Sequence, residues 1–306
     1  MISLVISVYN EESILADAWE EIKKVLSKNN IDAEVIFVDD GSTDSSAKIL
    51  NDIKQSETYA ISIISLTRNF GHEAAMIAGI DHAKGDSIIC MDADMQHPPS
   101  LIPEMVEKYN QGFHIVTMIR EKRDDNSWIK NKASRLFYRF INRLSEYQLD
   151  ENASDFFLIS NDVAEKLRVN FRERNRFLRG FIQIVGFEKT TINFVAPVRI
   201  GGTSKYSFLK LLRLSANAVV SFSKSPLYLG IYIGMLFALF SICMAVYSLF
   251  VYFFGDTPPS GYTTLVLFMS ISFTLLFFLV GIIGIYVGYN FDENKKRPLY
   301  LVKEIH

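Results

Sequence analysis

Two long stretches without a charged residue constrain the fold of this chain more than any other feature. Residues 225–255 contain no charged side chain, and residues 257–291 contain none either. Each stretch is longer than the roughly 20 residues that an α-helix needs to cross the hydrocarbon core of a bilayer. We therefore predict two transmembrane helices in the C-terminal part of the chain.

The basic residues around these stretches predict how the chain is oriented. The loop between them, residues 256–262, holds no Lys or Arg. Basic residues occur instead on the two outer flanks: Lys205, Lys210, Arg213, Lys224, Lys295, Lys296 and Arg297. Because cytoplasmic loops carry the excess of Lys and Arg, both flanks are expected in the cytoplasm. We expect a multi-pass protein of the inner (plasma) membrane with a cytoplasmic catalytic domain.

The composition divides the chain into four segments. We expect a cytoplasmic domain (1–204), a juxtamembrane amphipathic helix (205–224), a two-helix membrane region (225–291) and a basic cytoplasmic tail (292–306). The net charge of −2 argues against nucleic acid as a partner. The two cysteines do not indicate a disulfide framework or a cysteine-rich metal site.

The N-terminal domain alternates short apolar runs with amphipathic segments. Apolar, β-rich runs occur at residues 2–8, 34–38, 61–66 and 88–91, with helical patterns between them. A regular strand–helix alternation is typical of an α/β fold with a mostly parallel sheet. Ligands of such sheets bind beyond the carboxyl ends of the strands.

Polar residues follow each of these four runs. They are Tyr9 and Glu11, Asp39 and Asp40, Arg68, and finally Asp92 and Asp94. Each residue alone could be a cap or turn residue, but four consecutive strands with polar ends indicate one shared crevice. The chain has no Gly-x-Gly-x-x-Gly or Walker motif, which disfavours a Rossmann dehydrogenase or a P-loop NTPase.

The fourth run ends in two carboxylates one residue apart. Side chains alternate along a strand, so Asp92 and Asp94 point to the same side, and Gln96 can add a neutral oxygen. This oxygen set suits a hard divalent cation that takes further ligands from substrate phosphates. The alternative is that the Asp-x-Asp is only the polar end of a strand.

Four motifs resemble those of family-2 glycosyltransferases: Val8-Tyr9-Asn10-Glu11, Val38-Asp39-Asp40-Gly41-Ser42, Arg68-Asn69-Phe70-Gly71 and Asp92-Ala93-Asp94-Met95-Gln96. The likeness covers about residues 2–215 and is to the polyprenyl-phosphate type, which includes dolichyl-phosphate mannose synthases and bactoprenol glucosyltransferases. It implies a GT-A type domain that transfers a sugar, with inversion, from a nucleotide diphosphate to polyprenyl phosphate. By this resemblance glucose from UDP-glucose is favoured, while GDP-mannose, UDP-GlcNAc and a modified pentose stay open.

The resemblance also implies roles for individual residues. It assigns the nucleotide sugar to Ser7, Tyr9, Glu11, Asp39 or Asp40, Arg68 and Asp92. It assigns Mg²⁺ or Mn²⁺ to Asp92, Asp94 and Gln96, with Asp94 and Asp155 as catalytic residues. It assigns the acceptor phosphate to Arg120, Lys130, Ser134, Arg199 and Lys205.

Asp155 would ordinarily be read as a general base in this family. A phosphate monoester has a second pKa of about 6, so a phosphate acceptor is already largely ionised at neutral pH. We therefore expect Asp155 to orient the sugar or a basic residue that holds the phosphate. An acceptor with a hydroxyl group, such as diacylglycerol, would instead need a base.

Further features point to the membrane and to self-association. Residues 128–144 and 208–223 form basic amphipathic patterns that can lie on an anionic membrane surface, although an ordinary surface helix fits too. Gly281, Gly284 and Gly288 form a small-residue face that allows helix contact and a homo-oligomer, although glycines that merely face lipid fit the pattern equally well. A non-catalytic membrane protein that binds a nucleotide sugar is the competing function of another class.

Overall fold

A computed structural model describes residues 1–121, 150, 153–174, 177–195, 197, 225–254 and 261–306. Four of the predicted acceptor residues, Lys130, Ser134, Arg199 and Lys205, lie outside the described residues. The predicted basic segments 128–144 and 208–223 lie outside them as well.

In the described part of the chain, eight strands form one sheet in the order β7-β5-β6-β4-β1-β2-β3-β8. The strands are β1 (Ile2–Val8), β2 (Ala33–Asp39), β3 (Ala60–Leu66), β4 (Ser87–Asp92), β5 (Ile115–Arg120), β6 (Ala153–Ser160), β7 (Lys189–Phe194) and β8 (Val302–Ile305). Strands β1 to β4 are parallel, β6 runs antiparallel to β4 and β5, and β7 is parallel to β5. The predicted mostly parallel α/β sheet is confirmed.

Helices cover both faces of this sheet and continue into the C-terminal region. They are α1 (Leu15–Lys28), α2 (Ser46–Ser56), α3 (His72–His82), α4 (Ile102–Asn110), α5 (Asn161–Asn170), α6 (Leu178–Ile184), α7 (Ser225–Phe254) and α8 (Tyr262–Asn294). Helix α3 begins at His72, directly after Gly71. Gly71, with φ +98°, turns the chain directly into the helix, a conformation that glycine adopts without strain.

Every residue of the central strand β1 is buried, because both faces of the sheet are covered there. Alternate residues of β1 therefore belong to two different cores. Leu4 and Ile6 pack with Trp19 of α1 on one face, whereas Val5 packs with α3 on the other. Gly79 allows α3 to approach closely, since a Cβ at that position would lie 2.1 Å from Val5 Cγ1.

Helices α7 and α8 are long and apolar enough to cross a membrane, over Gly230–Val251 and Thr264–Asn294. None of the most apolar part of either helix is buried inside the protein, so they are not core helices of a soluble domain. Helix α8 continues three residues beyond the predicted end at residue 291. The predicted contact face of α8 does not meet α7: a Cβ at Gly281 would have nothing within 4 Å, whereas one at Gly230 would lie 3.0 Å from Leu279.

The segment after α8 is part of the sheet rather than a separate tail. Strand β8 pairs antiparallel with β3, and Ile63 and His306 exchange two backbone hydrogen bonds of 3.0 and 2.9 Å. The Tyr300 hydroxyl donates to Asp81 Oδ2 at 2.7 Å, which ties the same segment to α3. Residues 292–306 were predicted as a basic tail, but a strand at the edge of a sheet can also carry charged side chains.

Candidate active site

The parallel register places Ser7 of β1 beside Asp92 of β4, at the carboxyl edge of the sheet. The Ser7 hydroxyl donates to Asp92 Oδ1 at 3.0 Å. His72, the first residue of α3, reaches the same point: its Nδ1 lies 3.0 Å from Ser7 Oγ and 3.2 Å from Asp92 Oδ1. The ends of two strands and the start of one helix thus meet at a single carboxylate.

The chain turns sharply after β4 and keeps Asp94 and Gln96 close to this edge. Met95 has φ +59°, and the Gln96 backbone N–H donates to Asp94 Oδ1 at 3.0 Å. Gln96 Oε1 in turn accepts a long hydrogen bond of 3.4 Å from Arg120 Nη1 at the end of β5. The structure therefore brings a predicted metal ligand next to a predicted acceptor residue.

His97 supports the end of β4 through hydrogen bonds that involve both of its ring nitrogens. Its Nδ1 accepts the backbone N–H of Asp92 at 2.9 Å, so the ring proton is on Nε2 and is donated to Ser154 Oγ at 2.9 Å. Burial lowers the pKa of His97, although the charge of Asp92 opposes the shift. The ring, buried and stacked on Phe156 with centroids 5.2 Å apart, positions the backbone of Asp92 as a neutral group.

Asp155 of β6 lies between two cationic side chains. Arg179 of α6 places its Nε 2.7 Å from Asp155 Oδ1, and His72 places its Nε2 3.5 Å from Asp155 Oδ2. Arg179 Nη1 also donates to the backbone carbonyl of Ala153 at 3.0 Å. His72 therefore bridges Asp92 and Asp155 with its two ring nitrogens.

These contacts shift the pKa values of Asp155 and His72 in opposite directions, so that both side chains are charged at neutral pH. Burial disfavours the ionised form of Asp155, but Arg179 and the hydrogen-bonded His72 outweigh it and hold the pKa of Asp155 well below its usual range. Burial would lower the pKa of His72, but Asp92 and Asp155 raise it to about 10. In this arrangement Asp155 is a permanent anion that orients Arg179.

The two aspartates at the end of β2 bind neighbouring loops. Asp40 accepts the backbone N–H groups of Phe70 and Gly71, at 2.7 and 2.9 Å, with its two carboxylate oxygens. Burial raises the pKa of Asp40, and these two hydrogen bonds oppose the shift. Asp39 Oδ1 accepts the N–H of Ser42 at 2.9 Å. Both side chains are buried and fix the loops around the predicted nucleotide site.

Hydrogen bonds also join the loops that follow β1 and β2. Asn10, with φ +55°, accepts the Thr43 N–H on its side chain at 2.8 Å, and its own N–H donates to Ser42 Oγ at 3.0 Å. The Glu11 N–H donates to Ser46 Oγ at 2.9 Å. Tyr9 remains 39% exposed beside them, where a ligand can reach its ring. Arg68, after β3, lies over the Phe70 ring at 4.1 Å.

The predicted metal ligands fit a hard cation only if some of its coordination positions are left for other ligands. Among the described residues, no group of three or more His, Cys, Asp and Glu side chains could hold a metal ion by itself. Asp92, Asp94 and Gln96 supply two carboxylates and one amide oxygen. Mg²⁺ commonly binds one or two carboxylates and completes its shell with substrate phosphates and water, so these residues fit a metal that arrives with a phosphate ligand.

Sequence reasoning assigned no role to four residues of this site: His72, His97, Ser154 and Arg179. Two of them adjoin recognised motifs, because His72 follows Asn69-Phe70-Gly71 and His97 follows Gln96. Arg179 had no such signal, since its contact with Asp155 depends on how α6 packs against β6. Arg120 and Asp155 were predicted and do lie at this edge of the sheet.

Comparisons with known proteins match nearly the whole chain. Residues 3–168 match the family model described as Glycosyl transferase family 2. A prophage bactoprenol glucosyl transferase homolog of Escherichia coli K12 is 33% identical over 304 residues, which cover 99% of each chain. The bactoprenol glucosyl transferase of Shigella phage SfII is 32% identical, over 100% of this chain and 98% of the relative. An uncharacterized glycosyltransferase of Bacillus subtilis is 34% identical, over 99% and 93%.

Proposed function

Because the chain belongs to glycosyl transferase family 2, we propose that it moves a single sugar from a nucleotide diphosphate to polyprenyl phosphate. The observation that supports the proposal is the contact of Gln96, a predicted metal ligand, with Arg120, a predicted acceptor residue, at one edge of the sheet. Two relatives whose names specify bactoprenol glucosyl transfer match over almost their entire length, and they favour undecaprenyl phosphate and glucose from UDP-glucose.

The donor would occupy the crevice above β1, β2 and β4. Ser7, Tyr9, Glu11, Asp39, Asp40 and Arg68 surround the part that would hold the base and ribose. In this group Tyr9 and Arg68 are exposed and open to a ligand, while Asp39 and Asp40 stabilise the loops. Hydrogen bonds between the loops pre-form the pocket, which lowers the entropy cost of binding.

Asp92, Asp94 and Gln96 would hold Mg²⁺ or Mn²⁺, which would neutralise the charge of the leaving diphosphate. Ser7 and His72 contact Asp92, and His97 holds its backbone, so the carboxylate is oriented before any ligand arrives. The direct contribution of the chain is therefore a pre-positioned oxygen set.

The acceptor phosphate would be held by Arg120 together with Lys130, Ser134, Arg199 and Lys205. Its oxygen is already ionised at neutral pH and attacks C1 of the sugar from the side opposite the diphosphate. The new C1–O bond forms as the bond to the diphosphate breaks, which inverts the anomeric carbon. No proton has to be removed, so Asp155 acts by orienting Arg179 and not as a base.

The membrane placement follows from the two apolar helices. Both ends of the pair formed by α7 and α8 belong on the side of the catalytic domain, because β8 joins the same sheet as β1. Lys295, Lys296 and Arg297 follow α8 directly, and the positive-inside rule assigns that side to the cytoplasm. A cytoplasmic domain would meet both the nucleotide sugar and the head group of the lipid. A homo-oligomer remains a prediction.

A donor panel tests this function. The full-length protein in detergent is given Mg²⁺ or Mn²⁺, undecaprenyl phosphate and, in turn, UDP-glucose, UDP-GlcNAc, GDP-mannose and a modified pentose donor. We expect lipid-linked product from UDP-glucose, and none when Asp94→Ala replaces the wild type or when EDTA removes the metal.

Two other results would redirect the proposal. Product with diacylglycerol but not with undecaprenyl phosphate would identify a transferase to a hydroxyl acceptor. Nucleotide binding without product from any donor and acceptor pair would favour a non-catalytic binding protein.

A further inference from the structure

A second polar cavity lies where the end of α8 meets the catalytic domain. This open cleft of about 640 Å³, called here the interface cleft, is lined by the end of α8, the segment leading to β8, the end of α3 and the loop after α5. Most of its polar lining is basic: His82, Arg172, Arg174, Lys296 and Arg297, with Glu293 as the single acid.

One of these basic side chains, Arg172, is paired with a carboxylate that helps to fix the walls of the cleft. Arg172 contacts both oxygens of Asp81, at 2.8 and 3.0 Å, and Asp81 also accepts the Tyr300 hydroxyl at 2.7 Å. Glu293 Oε1 accepts the backbone N–H of Arg174 at 2.6 Å. The walls are therefore fixed by a network that joins α8, α3 and the loop after α5.

The remaining cations are not neutralised. In the described ranges, no carboxylate forms an ion pair with the side chains of Arg174, Lys296 or Arg297. The nearby Glu173 does not line the cleft. Three cationic residues without an ion-pair partner in the described part of the chain thus line a cavity that holds one carboxylate, which is the composition of an anion site.

The cleft lies at the level expected for lipid head groups. The apolar span of α8 ends at Asn294, and Lys296 and Arg297 follow it at once. Exposed apolar side chains precede this point along α8: Phe291 is 60% exposed and Val287 is 59% exposed. An anion in the cleft could therefore carry acyl chains that lie along α8, an arrangement that a soluble phosphate would not use.

The interface cleft is separate from the active site. Helix α3 links the two: His72 at its start lies in the active site, and His82 at its end lines the cleft. Ten residues of α-helix rise roughly 15 Å. A ligand of the cleft is therefore not the acceptor phosphate that reacts with the sugar.

We propose that the interface cleft binds the phosphate head group of an anionic bilayer phospholipid. The proposal rests on the placement of this end of α8 at the cytoplasmic surface, and not on the identity of the transferred sugar. Basic pockets beside membrane helices on that side recognise anionic head groups by this chemistry. A bound lipid would fix the height of the catalytic domain above the membrane through the network of Arg172, Asp81 and Tyr300.

The test measures lipid binding to the full-length protein in detergent by native mass spectrometry. Dioleoyl phosphatidylglycerol is titrated against the wild type, and dioleoyl phosphatidylcholine serves as the zwitterionic comparison. The variant Lys296→Gln/Arg297→Gln removes two cleft charges. The matched control, Lys24→Gln/Lys28→Gln, removes two exposed charges from α1.

We expect one phosphatidylglycerol to be retained by the wild type and the control, and roughly 30-fold weaker binding in the cleft variant. Equal binding in the wild type and the cleft variant would overturn the proposal. Inorganic phosphate that displaces the lipid at equal concentration would show a site for soluble anions and would overturn it too. Sugar transfer is assayed in parallel, so that a failure of the proposed function is seen separately from a failure to bind lipid.

Discussion

Asp155 shows how the surroundings of one carboxylate decide its chemistry. It lies partly buried between Arg179 and His72, and their charges hold its pKa well below the usual range. A general base works best when its pKa is near the operating pH, because it must both accept and release a proton. Asp155 is poorly suited to that role and well suited to holding Arg179 in place.

The variant Asp155→Asn separates these two roles through the pH profile of turnover. We expect the variant to retain turnover within about tenfold of the wild type, with an unchanged profile from about pH 6.5 to about pH 8.5, whereas loss of a general base costs about 10²–10⁴-fold. A large loss that is rescued only at high pH would identify Asp155 as a base. Initial rates of lipid-linked product formation provide the measurement.

The stability of the same variant has its own pH dependence. The pKa of Asp155 is lower in the folded protein than in the unfolded chain, where it is about 3.9. Its stabilising contribution is therefore present above that value and is lost as the pH falls through the lowered, folded-state pKa. The Tm difference between the wild type and Asp155→Asn should be largest near neutral pH and should shrink in acid.

At this scale the sequence predicted positions better than contacts. Strand alternation predicted that Asp92 and Asp94 share a side, but β4 ends at Asp92, so this stays a prediction. The family motifs pointed to Arg120 and Asp155, which lie at the same edge of the sheet. The contacts of His72 with both Asp92 and Asp155 were not predictable, because they depend on where α3 begins relative to the sheet. Arg179 could not be assigned for the same reason, since its partner is fixed by tertiary packing.

Helix α3 is the element that connects the active site to the rest of the molecule. Its first residue contacts Asp92, and its close approach to β1 depends on Gly79. A single methyl group at residue 79 would collide with Val5, which is fully buried in the central strand. The position of His72 is thus set by a contact seven residues along the helix.

Gly79→Ala should destabilise the protein by about 1–3 kcal/mol, because the added methyl group overpacks the α3–β1 contact. Thermal unfolding in detergent measures the effect, and Gly234→Ala is the control, since a Cβ there meets nothing within 4 Å. The double variant Val5→Ala/Gly79→Ala should be less destabilised than the sum of the two single variants, because Val5→Ala makes room for the methyl group. Strict additivity would contradict this packing.

The strand–helix alternation predicted β1 to β4 and the helices between them. It did not predict β7 or β8, and each has its own physical reason. Strand β7 has exposed Lys189, Thr191 and Asn193 on one face, which weakens the apolar signal. Strand β8 is short, and its charged residues are compatible with an edge strand or with a tail.

At the scale of the whole molecule, the sheet restricts the membrane topology that is proposed for α7 and α8. Strands β3 and β8 precede and follow the helix pair in the chain, yet they are hydrogen-bonded neighbours. The chain between them must therefore leave and return on the same side of the membrane. An odd number of crossings would put β8 on the wrong side.

Cysteine labelling in intact cells tests this arrangement. In a Cys243→Ser background the remaining Cys90 is buried and should not react. We expect Gly261→Cys to be labelled by a membrane-impermeant maleimide from outside, and Lys303→Cys to be labelled only after permeabilisation. Labelling of both positions from outside would contradict the shared sheet, and protection of both would contradict a membrane-spanning pair.

The pairing of β8 with β3 also sets an order of events during synthesis. The ribosome makes β3 long before it makes α7 and α8, so in the proposed topology the open edge of β3 waits until both helices have been delivered to the bilayer. An unpaired edge strand is a template for aggregation, and this one is exposed throughout membrane insertion. Successful insertion is thus a precondition for sealing the sheet, and a chain whose helices fail to insert carries an exposed edge that chaperones and proteases can recognise.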